Sequence, residues 1–254
     1  MSFTALLLAG SRPGRDAFAE RYGTDMKALI PIAGEPMVRR PASALLASAS
    51  VGDLVVLSQA PERIAEVLPK DARMTMRRSQ GTIAETILTL CSDPATRWPL
   101  LVTTADHALL NPAMIDEFCS AANGADIAIG VVEQRVLASR FPDARRTWLK
   151  FRGGAYTGAN LFALGSPKVS RAIHMWRGVE QDRKKGWRLV GLLGPAVLLG
   201  SGLRLLSLDQ VLVRLGRKLG LAIKAVRLSN PLAGIDVDKP ADHELVEAIL
   251  RGEA

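Results

Sequence analysis

The chemistry in this chain starts with residues able to meet phosphate. The stretch Leu6-Leu7-Leu8-Ala9-Gly10-Ser11-Arg12-Pro13-Gly14-Arg15 runs from an apolar segment into a loop with two glycines, a proline and two arginines. Gly10 and Gly14 permit backbone angles and close approaches that a Cβ would block. Successive N–H groups in such a turn form a concavity suited to phosphate oxygens, and Arg12 and Arg15 add fixed positive charge. Lys27 follows in Asp25-Met26-Lys27-Ala28-Leu29, just before Pro31-Ile32-Ala33-Gly34-Glu35-Pro36-Met37. This is the composition of a polyphosphate site. The Walker pattern needs Gly-Lys-Ser/Thr at the loop's end and the dinucleotide fingerprint needs G-x-G-x-x-G; neither is present. Taken alone, the loop reads equally as a turn joining a strand to a helix; Lys27 and residues 31–37 weigh toward phosphate. Asp106 stands directly after the apolar segment Leu100–Thr104. A carboxylate at a strand's end, beside a phosphate loop, suits Mg²⁺ on a triphosphate. The competing reading is that Asp106 only caps the turn that follows.

These groups need a frame, and the hydrophobic pattern supplies one. Residues 3–8 read as a strand buried on both faces. Residues 37–48 read as a helix, with Pro41 near its start where proline is tolerated. Strands are expected at 53–58, 73–78, 100–104 and 126–133, with helices at 61–68 and 83–91. Asn111-Pro112 opens another helix as N-cap and first residue. Strands alternating with helices predict an α/β fold, a mostly parallel mixed sheet with helices on both faces. The second half is less regular. Residues 147–152 and 156–164 look like hairpin partners across Gly153-Gly154, with helices at 167–185 and 209–219, a strand at 222–228 and a closing helix at 240–250.

The chain has 254 residues, 48% of them hydrophobic, enough for one large domain with a substantial core. A formal net charge of +8 calls for an anionic partner. Aromatic residues are only 5%, with no basic-aromatic stacking pattern, so nucleic acid is not the expected partner. Cys91 and Cys119 are isolated in helical segments and read as reduced core residues. The N-terminal apolar run is too short for a secretory signal and lacks a basic flank, which predicts a cytoplasmic protein.

The segment 8–37 resembles the MobA-like NTP transferases. Their first strand ends in Leu-Ala-Gly/Ala-Gly-x-x-x-Arg-x-Gly, and a lysine follows before a Pro-Val-x-Gly-x-Pro-Met-like segment. The resemblance implies a Rossmann-like nucleotide-diphospho-sugar transferase fold of GT-A-like architecture. It implies nucleotide contacts from Leu8, Ala9, Gly10, Ser11, Gly14 and Arg15, with Arg12 and Lys27 catalytic. It also makes Asp106 a metal ligand, although Asp106-His107-Ala108-Leu109-Leu110 lacks the proline of the family's Asp-x-Pro-Leu-Leu. The closing run Gly234-Ile235-Asp236-Val237-Asp238-Lys239-Pro240-Ala241-Asp242 resembles the family's Asp-x-Pro-x-Asp-Leu, which makes Asp238 the second Mg²⁺ ligand. Asp236 faces the same way if the backbone is extended. Asp242 suits the first turn of the closing helix. Ser79, Gln80, Gly81 and Thr82 fall where these enzymes contact base and ribose; a capped helix start explains the same residues, and both readings can hold together.

Thr157-Gly158-Ala159-Asn160 resembles the family's acceptor-side strand, which nominates Gly158 and Asn160. Around it lie Arg140, Arg145, Arg146, Lys150, Arg152, Arg183, Lys184, Lys185 and Arg188. A solvated positive face explains most of these charges; Arg146 and Lys150 are the acceptor candidates. Residues 189–206 are strongly apolar but interrupted by Pro195 and Arg204, against a spanning helix. Packing within the domain or a homodimer competes there with contact to an anionic membrane. The reading is therefore a single nucleotidyltransferase domain over 1–254, with a nucleotide part at about 1–133 and an acceptor part at about 134–254. It joins an NMP unit from an NTP to a phosphorylated small-molecule or lipid-linked acceptor, with Mg²⁺ and release of pyrophosphate. A glycosyltransferase using an NDP-sugar would carry Asp-x-Asp at the metal strand, where His107 and Ala108 follow Asp106. A non-catalytic nucleotide-binding or membrane-associated protein is the other alternative.

Overall fold

The computed structural model describes residues 2–10, 14–79, 81–180 and 205–254, the side chains of 178–180 excepted. Its sheet is built outward from β1 (Phe3–Leu8), whose Ala5, Leu6 and Leu7 are wholly buried. An apolar strand with no polar face can be stable only between two layers. Its neighbours are β4 (Val51–Ser58) and β6 (Leu100–Thr104), both parallel to it, and β5 (Met74–Arg78) lies parallel beyond β4. On the far side of β6 runs β9 (Gly154–Leu164), antiparallel, followed by β7 (Ile127–Glu133) and β10 (Ile223–Arg227). The order is β10-β7-β9-β6-β1-β4-β5, with β8 (Leu149–Phe151) paired to β9. The expected mixed, mostly parallel sheet is present. The expected hairpin of the second half differs in one respect. β8 and β9 do turn at Gly153 (φ 92°), but β9 continues into the middle of the main sheet and separates β6 from β7.

Side chains of β1 alternate between faces, as the period of a strand requires. Ala5 and Leu7 join a core with Leu45 of α2 (Arg39–Ala47), and with Ile115 and Phe118 of α5 (Pro112–Ala122). Leu6 joins the opposite core with Ile87 and Leu90 of α4 (Ile83–Ser92) and Ile173 of α7 (Ser170–Glu180). Helices thus cover both faces. Cap chemistry fixes where several begin. Asn111 accepts from the Met114 N–H, and Thr82 with Glu85 forms a capping box on α4. Ser207 and Gln210 do the same for α8 (Leu208–Leu219).

Because β1, β4, β5 and β6 are parallel, their carboxyl ends share one edge. Leu8, Ser58, Arg78 and Thr104 end there, and the loop after β1, the 79–82 turn and Asp106 follow them. The chain leaves β1 for β4 on one side and β6 on the other. Such a switch point opens a crevice at the strand ends. The Ala105 N–H donates to the Leu8 carbonyl (3.0 Å) and the Ala9 N–H to the Leu57 carbonyl (2.9 Å), tying the exits of all three strands together.

Candidate functional site

Lys27 sits in a 3₁₀ turn, Lys27–Leu29, anchored by buried Ala28 and Ile30. A small hairpin, β2 (Pro31–Ile32) with β3 (Glu35–Pro36), folds back on that turn through Ala33 and Gly34, both at positive φ. Its far end is stitched to the turn by the Met37 and Val38 N–H groups, which donate to the carbonyls of Ile30 (2.8 Å) and Ala28 (2.9 Å). The backbone of Lys27 is therefore fixed, and its side chain reaches the strand ends. Its ammonium donates to Asp106 Oδ2 (2.7 Å) and Asp238 Oδ1 (2.6 Å). Three residues far apart in sequence meet at one point.

Asp106 is held from several directions. The Thr104 hydroxyl donates to its Oδ1 (2.5 Å), and its own carbonyl accepts from the Val237 N–H (3.0 Å). That last bond docks the closing segment against the end of β6 and brings Asp238 alongside. The Lys27 and Asp106 side chains are 22% and 19% exposed, whereas Asp238 is 64% exposed, so the point is open from the Asp238 side. Burial works against the charge on Lys27, but the Asp106 and Asp238 carboxylates outweigh it and its pKa lies above the usual lysine value. Beside Asp106, the buried ring of His107 is pushed down to about 4 by desolvation and is neutral. Asp242 does serve the closing helix α9 (Pro240–Arg251): it accepts from the N–H groups of Asp238 (3.1 Å) and Lys239 (3.2 Å).

Asp236 faces a second set of partners. Arg146 Nη1 donates to its Oδ1 (2.6 Å), and Asn160 Nδ2 donates to its Oδ2 (3.1 Å). Desolvation, then the neighbouring Asp238 charge, raise the Asp236 pKa against the pull of Arg146. Asn160 reaches Asp236 from an irregularity in β9, where its φ is 48°. There Val131 pairs with Gly158 and Ile129 with Phe162, so β9 carries extra residues opposite β7. Bulges of this kind re-aim a side chain. Gly130 makes room for it: a Cβ there would lie 3.1 Å from both the Cβ and the carbonyl oxygen of Leu161.

The remaining sequence candidates are placed as follows. Leu8, Ala9 and Gly10 lie at the carboxyl end of β1. Gly14 adopts φ 103°, the left-handed region that favours glycine. Arg15 is exposed and paired with Glu20 (2.7 Å), apart from the Lys27 cluster. The Ser79 N–H donates to the Ser58 carbonyl (2.8 Å), and Gly81 (φ 89°) leads into the capping box of Thr82. Gly158 is exposed on β9 with open space beside it, and Lys150 is exposed on β8. Arg146 is only 8% exposed. Ser11, Arg12 and Gln80 lie outside the described residues, as do Arg183, Lys184, Lys185, Arg188 and all but the last two residues of 189–206. Among the described residues no helix is long and apolar enough to cross a membrane.

A lysine and two carboxylates meeting at the carboxyl edge of a mixed, helix-covered sheet, beside the end of β1, fit one class, the nucleotidyltransferases of Rossmann-like fold. The comparisons agree. The MobA-like NTP transferase domain matches residues 5–193, and the chain belongs to that family. A hypothetical transferase from Thermus thermophilus is 31% identical, with a TM-score of 0.81 over 96% of this chain and 100% of that one. The 4-diphosphocytidyl-2C-methyl-D-erythritol synthase from Anaerococcus prevotii shares the fold at 10% identity, with a TM-score of 0.61 over 98% of this chain and 96% of that one. A CMP:2-keto-3-deoxy-manno-octonic acid synthetase complexed with CTP does so at 12% identity, with a TM-score of 0.59 and full coverage of both chains. No curated protein matches the chain.

Proposed function

We propose that this nucleotidyltransferase joins an NMP unit from an NTP to a phosphorylated acceptor and releases pyrophosphate. The observation that carries the reading is the Lys27 ammonium held between Asp106 and Asp238 at the strand ends. A cation already sits between two carboxylates there, which is the charge pattern a divalent ion needs. Among the described residues no group of three or more His, Cys, Asp or Glu side chains is arranged for a metal. Mg²⁺ does not require one; it is commonly held by one or two carboxylates, with phosphate oxygens and water completing its shell. Asp106 and Asp238 would hold it. When bound, Mg²⁺ would supply positive charge to the triphosphate oxygens.

The chain's own residues account for the rest. The acceptor phosphate is anionic at neutral pH, so its oxygen attacks the α-phosphorus without a protein base. The new P–O bond forms as the bond to the β-phosphate oxygen breaks, and pyrophosphate leaves with that electron pair. Charge builds on the α-phosphate oxygens, where the Lys27 ammonium and the N–H groups of the loop after β1 stabilise it. Nucleotide binding falls to the loop and the 79–82 turn, and acceptor binding to the side of β8 and β9, where Lys150, Gly158 and Asn160 lie.

The test mixes each of the four NTPs with sugar phosphates, phospho-alcohols and lipid-linked phosphates, and reads pyrophosphate. One NTP–acceptor pair is expected to give Mg²⁺-dependent release. Asp106→Asn and Asp238→Asn should abolish turnover while leaving the fold intact. Full activity in both variants would remove the metal assignment.

A further inference from the structure

Arg146 is the one arginine of the basic stretch 140–152 found with its guanidinium buried between carboxylates. Nη1 donates to Asp236 Oδ1 at 2.6 Å, and both terminal nitrogens reach the Asp236 carbonyl at 3.3 Å. Nη2 lies 3.5 Å from Asp242 Oδ1, and the Asp242 side chain is 7% exposed. Its Nε is buried and makes no hydrogen bond, and with both terminal nitrogens engaged so enclosed a cation has little left to offer a phosphorylated acceptor. Removing one member of a buried pair leaves the other charged and unpaired, which is strongly destabilising locally.

The partners of Arg146 lead directly to the site. Asp236 and Asp242 bracket Asp238 in sequence, and the Asp238 N–H donates to the other Asp242 oxygen. Asn160 grips Asp236 from the opposite side, off the β9 bulge. Between Asp236 and Asp238, the Val237 N–H donates to the Asp106 carbonyl. The segment 236–238 is thus clamped at each residue, while the Asp238 carboxylate stays largely exposed. We infer that Arg146 is a positioning residue: with Asn160 it fixes residues 236–238 so that the Asp238 carboxylate stands opposite Asp106 across Lys27. The inference rests on the nucleotidyltransferase reading for what Asp238 is placed to do, and on geometry alone for the placement.

Two measurements on the full chain separate those parts. The first labels lysines competitively with trace acetic anhydride and reads each site by mass spectrometry, with exposed Lys70 and Lys168 as internal standards. Lys27, held by both carboxylates, should label slowly in the wild type. Arg146→Met should raise its labelling about fivefold, and Asn160→Ala by less, with both standards unchanged. Arg146→Lys should fall between wild type and Arg146→Met, because an ammonium keeps the charge but not the planar fork. The second measures Mn²⁺ binding in the presence of each NTP. Loss of a partner that orients a metal ligand weakens affinity about 10- to 100-fold, and Arg146→Met should fall in that range. A folded Arg146→Met with wild-type labelling of Lys27 overturns the positioning role. If Arg146→Met does not fold, Asn160→Ala decides the matter: a rise in Lys27 labelling supports the clamp and no rise overturns it. Absence of Mn²⁺ binding by the wild type with every NTP overturns the nucleotidyltransferase reading of the site, and the labelling still decides the clamp.

Discussion

Under the proposed function, Lys27 would face two demands that cannot be met together. Its ammonium neutralises Asp106 and Asp238, and a divalent ion held between those carboxylates, as proposed, would have to displace it. Two unit charges 4 Å apart interact by about 4 kcal/mol at an effective dielectric near 20. Even a modest part of that is a tenfold effect on binding. Nucleotide-free Lys27→Met is therefore expected to bind Mn²⁺ about tenfold more tightly than the wild type by titration calorimetry; equal affinities would mean that Lys27 and the metal do not compete. In the proposed turnover the same residue would act the other way. Lys27→Ala should lower kcat by about ten- to a thousandfold, the cost of removing one donor to developing charge, with a smaller change in the KM for NTP. If KM alone moves, Lys27 only binds. Each of these three residues was singled out in the sequence from a short local motif: Asp106 directly after an apolar segment, Lys27 and Asp238 within stretches that resemble the family's. Arg146 was legible only as a charge. Its partner Asp236 lies 90 residues away, and no local pattern predicts that an arginine in a basic run will fold inward.

The elements were read well where a physical signal is local. Thr82 and Asn111 announced their helices because side-chain caps act within three residues. Thr82→Ala should cost about 1 kcal/mol in urea unfolding, and Thr82→Ser should recover most of it. A larger loss in NTP affinity than in stability would add a base contact to the cap. The β2–β3 hairpin and the short helix α1 (Ala17–Arg21) escaped notice as elements. Two-residue strands have no period to detect, and α1 is fixed mainly by Asp16, which accepts from the Phe18 and Ala19 N–H groups. β9 was seen as a strand and as the hairpin partner of β8, but its place between β6 and β7 was not. Alternation within a strand reports which faces are buried, never which neighbours lie at its edges.

Across the whole molecule, the net charge of +8 is distributed unevenly between roles. Arg15, Arg63, Arg73, Arg78 and Arg97 pair with carboxylates at the surface, and Arg146 does so inside. Of the two basic acceptor candidates, Arg146 and Lys150, Lys150 on β8 is the exposed one. Lys150→Ala should weaken acceptor use and spare NTP affinity in a pyrophosphate-release assay; lost NTP affinity would refute the division of labour. Burial pushes the Cys119 thiol up to about 12, so from pH 9 upward the unfolded chain loses a proton that the folded one keeps. Stability from this group is intact below about pH 9 and falls as pH rises toward 12. Cys119→Ala should therefore show a shallower alkaline loss of stability than the wild type in parallel urea titrations. The antiparallel strand β9 has one more consequence, for the order in which the chain can be built. Synthesis delivers β6 and then β7, yet the strand that belongs between them emerges only after residue 154. Until then both strands offer open edges, and pairing them directly would trap the chain with the wrong neighbour. The nascent protein must hold that gap open across a separation of some fifty residues, a slow non-local step. A chain stopped near residue 133 would carry every nucleotide-side motif and still lack the strand that joins the two ends of its sheet.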